Sequence, residues 1–204
     1  MSHRNSPKGF TLVELLVTVS IFVFMTALML AKYGNFNQSV LLTNLAYDVA
    51  LTIRTAQTYG ISVRGTDVNG TQNFSTAYGV DFNDAATPAC DSYSTKYAFA
   101  MFADSTLNGW CDTGEAMSDH IYHITRGDFI SALCTGSDEN NCSTVVNELG
   151  ISFLRPNPEA KICSGAGSGP VDCTATYARI TISAPDNSTR TVSVRSNGQI
   201  SVGN

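Results

Sequence analysis

Lys8-Gly-Phe-Thr-Leu-Val-Glu-Leu-Leu16 opens a run of 22 residues, Phe10 to Ala31, whose one ionisable side chain is Glu14, and Lys32 ends it. About 20 apolar residues suffice to cross a bilayer core of about 30 Å, so the run predicts a membrane-spanning helix. The nine residues before it are polar and basic, with Arg4 and Lys8. Basic residues ahead of a span hold that end in the cytoplasm, which sends the C-terminal part outward. An ordinary secretory signal has a shorter apolar core followed by a small-residue cleavage site. Here the apolar run is longer and the candidate site, Gly9–Phe10, precedes it. A carboxylate at membrane depth is costly and marks function, so Glu14 needs an explanation.

Past Lys32 no turn signal interrupts the helical pattern, and Gly34 is the one candidate flexible point. Leu42, Leu45, Ala46, Val49, Ile53 and Ala56 recur at the spacing of one helix face. Thr43, Asn44, Asp48 and Thr52 are expected on the other side. No heptad persists, which argues against a coiled coil. The reading is one helix from about Phe10 to Ile61, about 80 Å long at about 1.5 Å per residue. Residues 10–33 form its transmembrane half and 34–62 its amphipathic half.

Residues 63–204 read as an exported β-rich domain. Short alternating segments at 77–82, 97–102, 120–125, 129–134, 149–154, 177–183 and 191–195 are the strand candidates. Pro185-Asp-Asn-Ser188 and Asn197-Gly198 are turn signals. The expected fold class is α+β, a long N-terminal helix packed on an antiparallel β-sheet. Cys90, Cys111, Cys134, Cys142, Cys163 and Cys173 all lie beyond the span. An even set on one side of a membrane reads as disulfides in an oxidising compartment. Local closure favours Cys134–Cys142 and Cys163–Cys173, leaving Cys90–Cys111, although the sequence does not choose among connectivities. The Gly-rich stretch from Cys163 to Cys173 reads as a disulfide-closed loop. A zinc site is disfavoured because no CxxC pair occurs.

The Gly9-Phe-Thr-Leu-Val-Glu14 segment and the apolar run behind it closely resemble the type III signal of type IV prepilins and pseudopilins. The resemblance implies that a membrane peptidase and methyltransferase cuts between Gly9 and Phe10 and methylates the new Phe10 amine. It implies that Glu14 pairs with the amine of a neighbouring subunit in the filament core. Partners would be other pilin or pseudopilin subunits, the prepilin peptidase, the inner-membrane assembly platform and the membrane itself. Losing Arg4 and Lys8 with the leader takes the formal charge from −5 to −7. Tyr78-Gly-Val-Asp-Phe82, Ala100-Met-Phe-Ala-Asp104, Ile151-Ser-Phe-Leu-Arg-Pro156 and Arg190-Thr-Val-Ser-Val with Gly198-Gln-Ile200 are similar to the GspH/FimT-type minor pilins. That subtype implies a low-abundance subunit near a filament tip, in a type IV pilus or a type II secretion pseudopilus.

One loop suggests a cofactor. With Asp104 as position 1, Thr106, Asn108, Gly109, the Trp110 carbonyl, Asp112 and Glu115 fall at 3, 5, 6, 7, 9 and 12. This is the ligand order of a calcium loop, with Thr106 a departure and no flanking helices. An acidic hairpin loop bonding its own backbone explains the same residues. No other cofactor is expected. His120 and His123 lack a third ligand nearby. No phosphate loop, GxSxG elbow or HExxH pair occurs, so an enzyme is not expected. Some FimT-type pilins bind DNA through arginines near the C-terminus, and Arg179, Arg190 and Arg195 stand here. A pI near 5.0 opposes phosphate binding, and Gln199 and Ile200 follow Gly198 where a basic cluster would continue. DNA capture and a signal-anchored surface protein that never polymerises are the competing readings.

Overall fold

The computed structural model describes residues 9–62, 64–68, 71–85, 89–142, 144–165 and 170–203. The leader up to Lys8 lies outside them, as do residues 166–169 between Cys163 and Cys173. The chain divides into two compact units, Met1–Ser39 and Val40–Asn204, a division that falls within a helix.

That helix, α1 (Leu12–Ile61), starts two residues past Phe10 and stays helical at Gly34. In the first unit, Leu12–Ala31 is long and apolar enough to cross a membrane, and none of it is buried.

In the second unit the same helix becomes a core element. Leu42, Ala46, Val49, Ile53 and Ala56 are fully buried, and Leu45 packs against them half-buried. The expected polar side needs one correction. Thr52 is buried rather than solvated, because its hydroxyl donates to the Asp48 carbonyl (2.9 Å) and arrives in the core already satisfied. The helix ends close against the sheet. A Cβ on Gly60 would strike the Phe153 carbonyl, so glycine is what permits the approach. Buried Gln57 fastens this end by donating from Nε2 to the carbonyls of Pro158 (3.0 Å) and Gly198 (3.2 Å).

The strands are β1 (Thr66–Val68), β2 (Thr71–Asn73), β3 (Ala77–Asn83), β4 (Ala98–Asp104), β5 (Ala116–His123), β6 (Phe129–Gly136), β7 (Thr144–Val146), β8 (Glu148–Phe153), β9 (Ala160–Gly165), β10 (Asp172–Ala175), β11 (Tyr177–Ser183), β12 (Thr189–Arg195) and β13 (Ile200–Gly203). β1 and β2 pair by themselves. A six-stranded antiparallel sheet has the order β10-β9-β8-β3-β4-β5, and a five-stranded one β13-β12-β11-β6-β7. Val80, Phe82, Met101, Ile151 and Phe153 of the first sheet share one core with Leu133, Ile180, Ile182, Val192 and Val194 of the second and with the helix stripe.

Two expectations are corrected. The strand expected at 120–125 runs over Ala116–His123, and Ile124 follows it as a loop residue whose amide donates to the Tyr97 carbonyl. The stretch from Cys163 to Cys173 is closed by its disulfide as expected, but its two ends lie in paired strands, β9 and β10. Cys163–Cys173 crosslinks them, and Cys90–Cys111 and Cys134–Cys142 complete the expected pairing.

β3 is buried along its whole length, so both faces of the six-stranded sheet are covered there. Val80 and Phe82 face the helix. Asp81 points to the opposite face, fully buried, and neither carboxylate oxygen has a hydrogen-bond partner. Ser94 Oγ donates instead to the Asp81 main-chain carbonyl (3.1 Å). Burial pushes the Asp81 carboxyl well above its usual range, and the charge of Glu148 adds to the push. The folded state therefore binds this proton more tightly than the unfolded chain. The stability it contributes is present below the unfolded pKa of about 4 and is lost as pH rises through the folded value. Asp81→Asn should raise stability at pH 7, because the amide needs neither the bound proton nor a buried charge. At pH 4 the gain should vanish, and denaturant melts at the two pH values read both.

Candidate functional site

The N-terminal turn gathers the processing residues. Thr11 caps the helix: Glu14 N donates to Thr11 Oγ1 (3.2 Å) and Leu15 N to the Thr11 carbonyl (3.1 Å). The sequence signal for this cap is the Thr-x-x-Glu spacing, the first half of a capping box. Phe10 is 79% exposed, and Glu14 is exposed in the first turn, where the helix dipole favours a carboxylate. Gly9, Phe10, Thr11 and Glu14 thus lie together at one helix end, with nothing in the first unit covering them.

The histidines do not converge. Three residues apart on β5, His120 and His123 fall on opposite faces. His120 Nδ1 lies 2.9 Å from Asp119 Oδ1, and its Nε2 lies 3.4 Å from the Tyr59 hydroxyl on α1. Arg64 stacks 4.0 Å over the same tyrosine ring. This close approach of His120 holds the exposed Asp119 carboxyl below its usual range. The arginines are divided as well. Arg190 Nε donates to Thr43 Oγ1 on α1 (3.2 Å). Arg179 and Arg195 alternate with buried Ile180 and Val194 and so lie on the other face of the five-stranded sheet. Arg195 also sits 3.9 Å from Glu139. No single basic row results from the three.

The 104–115 loop folds around its own carboxylates. Asp104, almost fully buried at the end of β4, accepts from Gly109 N (2.7 Å), Asn108 N (3.2 Å) and Thr106 Oγ1 (3.3 Å). Burial raises its pKa against the lowering effect of these bonds. Glu115, also buried, accepts from Ser105 N (2.8 Å), Ser105 Oγ (2.7 Å), Thr106 N (3.3 Å) and Asp112 N (3.0 Å). Asp112 accepts from Asn108 Nδ2 (2.8 Å) and Thr106 Oγ1 (3.1 Å), and Asn108 Oδ1 accepts from Trp110 N (2.7 Å). Gly109 takes the left-handed turn (φ +88°) expected of it. The Trp110 ring lies against Gly150 and Gly165, where a Cβ would meet it. In this arrangement the oxygens that a cation would need are held by the loop's own donors. Among the described residues no group of three or more His, Cys, Asp or Glu side chains is arranged for a metal ion.

Among known families, one described as the prokaryotic N-terminal methylation motif matches residues 4–30. No curated protein and no solved structure matches the chain. The matched stretch contains Gly9, Phe10, Glu14 and nearly all of the apolar segment. The N-terminus is therefore a type IV prepilin-like signal. It implies processing by a prepilin peptidase, membrane anchoring and assembly with other pilins.

Glu115 is the acceptor on which the loop closes. Glu115→Ala strands four donors and should lower stability by about 1–3 kcal/mol. The melts are compared in the presence of a chelator, since a bound cation would draw on the same oxygens.

Proposed function

We propose that this chain is a minor pilin or pseudopilin of the GspH/FimT type, a structural subunit that enters a filament after its leader is removed. The observation that carries this reading is the Gly9-Phe-Thr-Leu-Val-Glu14 motif, continued by a helix segment, Leu12–Ala31, with no buried residue. Its work is assembly, not catalysis. A 20-residue, predominantly apolar segment without cover is incompatible with water, and lipid followed by neighbouring helices supplies the cover.

Cleavage between Gly9 and Phe10 places a positive amine at a helix N-terminus, the end at which the macrodipole disfavours a cation. A carboxylate from a neighbouring subunit's Glu14 neutralises it, and the amine neutralises that carboxylate in return. Each charge alone would be expensive in an apolar filament core. Pairing therefore sets the axial register of one subunit against the next. The division described above leaves only Arg179 and Arg195 on one face, with Glu139 beside Arg195, which gives the DNA-capture reading little positive surface, so assembly stands as the proposal.

Mass spectrometry of the membrane-extracted protein should find a mature N-terminus at methylated Phe10; a chain retaining Met1 in cells with active prepilin peptidase would refute the proposal. Glu14→Ala should be synthesised, cleaved and membrane-held like the wild type. It should then be depleted from sheared filaments, since breaking one half of a buried pair costs about 3–5 kcal/mol. Wild-type incorporation of Glu14→Ala would mean that the pairing does not operate in this subunit.

A further inference from the structure

At one end of the six-stranded sheet, on the face turned away from the helix, lies a cavity of about 340 Å³. Its floor follows from strand register. Lys161 of β9 stands opposite Ser152 of β8, which puts both on the cavity side of the sheet. Ser152 is 2% exposed, yet its hydroxyl lines the cavity and makes no hydrogen bond among the described residues. Its oxygen is not cut off from solvent, so the cavity is where it can find a partner.

The walls carry donors in excess. Arg155, half-buried, has no hydrogen bond or ion pair among the described residues. Lys161 Nζ gives one of its three N–H groups to the Leu107 carbonyl (3.0 Å). The carboxylate deepest in the wall, Asp104, is already occupied by Thr106, Asn108 and Gly109. The other carboxylate, Glu159, is exposed and makes no ion pair with either cation. An acceptor-only group suits this surplus, and the planar fork of an arginine matches a carboxylate with two parallel bonds. Leu107 and Leu154 add apolar wall beside the donors. The volume is at the small end of ligand sites, enough for one or two residues and no more.

We infer that this cavity receives the terminal carboxylate of a peptide whose last side chain is apolar, with Arg155, Lys161 and Ser152 on the carboxylate and Leu107 and Leu154 on the side chain. The site is separate from the N-terminal turn, so a Glu14→Ala chain should bind as the wild type does even if assembly fails.

The test is calorimetric titration of the full chain in detergent micelles with N-acetyl-Ala-Leu and with its C-terminal amide. Galacturonate and inorganic phosphate serve as the other oxyanions. The acid should bind, and the amide should bind at least about tenfold more weakly, the scale of one lost charge-assisted hydrogen bond. Arg155→Gln, Lys161→Gln and Ser152→Ala should each weaken the acid while leaving the thermal midpoint in place. Equal binding of acid and amide would overturn the inference. So would tighter binding of galacturonate or phosphate, no binding at millimolar peptide, or unchanged affinity in both Arg155→Gln and Lys161→Gln.

Discussion

Burial of one helix stripe is the interaction on which the second unit depends. Leu42, Ala46, Val49, Ile53 and Ala56 have no exposed surface, and the inner faces of both sheets meet on them. Each large side chain so buried contributes about 1.5–3 kcal/mol relative to exposure. The apolar residues of β3, β4 and β8, those of β6, β11 and β12 and the helix stripe form one cluster, so none of the three keeps its inner face dry alone. The chain thereby makes its one helix do two things in succession. Apolar on every side over Leu12–Ala31, it suits lipid or neighbouring helices; apolar on one face from Leu42 onward, it suits a sheet.

How far the sequence discloses this depends on whether a local pattern decides the outcome. The stripe was legible because helical spacing and apolarity coincide at all six of its positions. Strands β3, β6, β11 and β12 were legible because apolar and polar residues alternate between turn signals. β9 and β10 were not, since Gly-rich sequence around Cys163 and Cys173 carries no alternation and pairing is imposed by the neighbouring β8 and by the disulfide. β5 begins before any alternation shows, because its first half, Ala-Met-Ser-Asp, has half-buried and exposed residues in pairs and lies on a sheet edge.

The candidate sites divide in the same way. Gly9, Phe10 and Glu14 were legible because the signal is contiguous and the helix merely displays it. The 104–115 loop was half legible. Sequence order placed its oxygens and its left-handed glycine, but not the direction of the carboxylates, which turn to loop amides that only the closed loop brings near. The Ser152, Arg155 and Lys161 cavity was illegible, because its residues meet through strand register across β8, β9 and the turn between them.

Asp81 shows what the second layer of the six-stranded sheet demands. By alternation, Gly79, Asp81 and Asn83 should face water, as they would on an antiparallel sheet with one solvated face. Instead Cys90, Phe102 and Cys111 form a small core of their own on that face, with Ala116 against it. Three residues, two of them the disulfide itself, bury too little apolar surface to hold a layer by hydrophobic effect alone. Closing a loop of about 15 residues removes about 3 kcal/mol of unfolded-chain entropy, and Cys90–Cys111 closes a loop of 21. Asp91 adds direction, accepting from Gly114 N (2.8 Å) and Ala116 N (3.1 Å) to lay the two loops edge to edge. The outer layer is therefore held by covalent and polar ties, while the helix side is held by packing. The burial of Asp81 thus leans on the Cys90–Cys111 bond, a bond that persists in oxidising compartments.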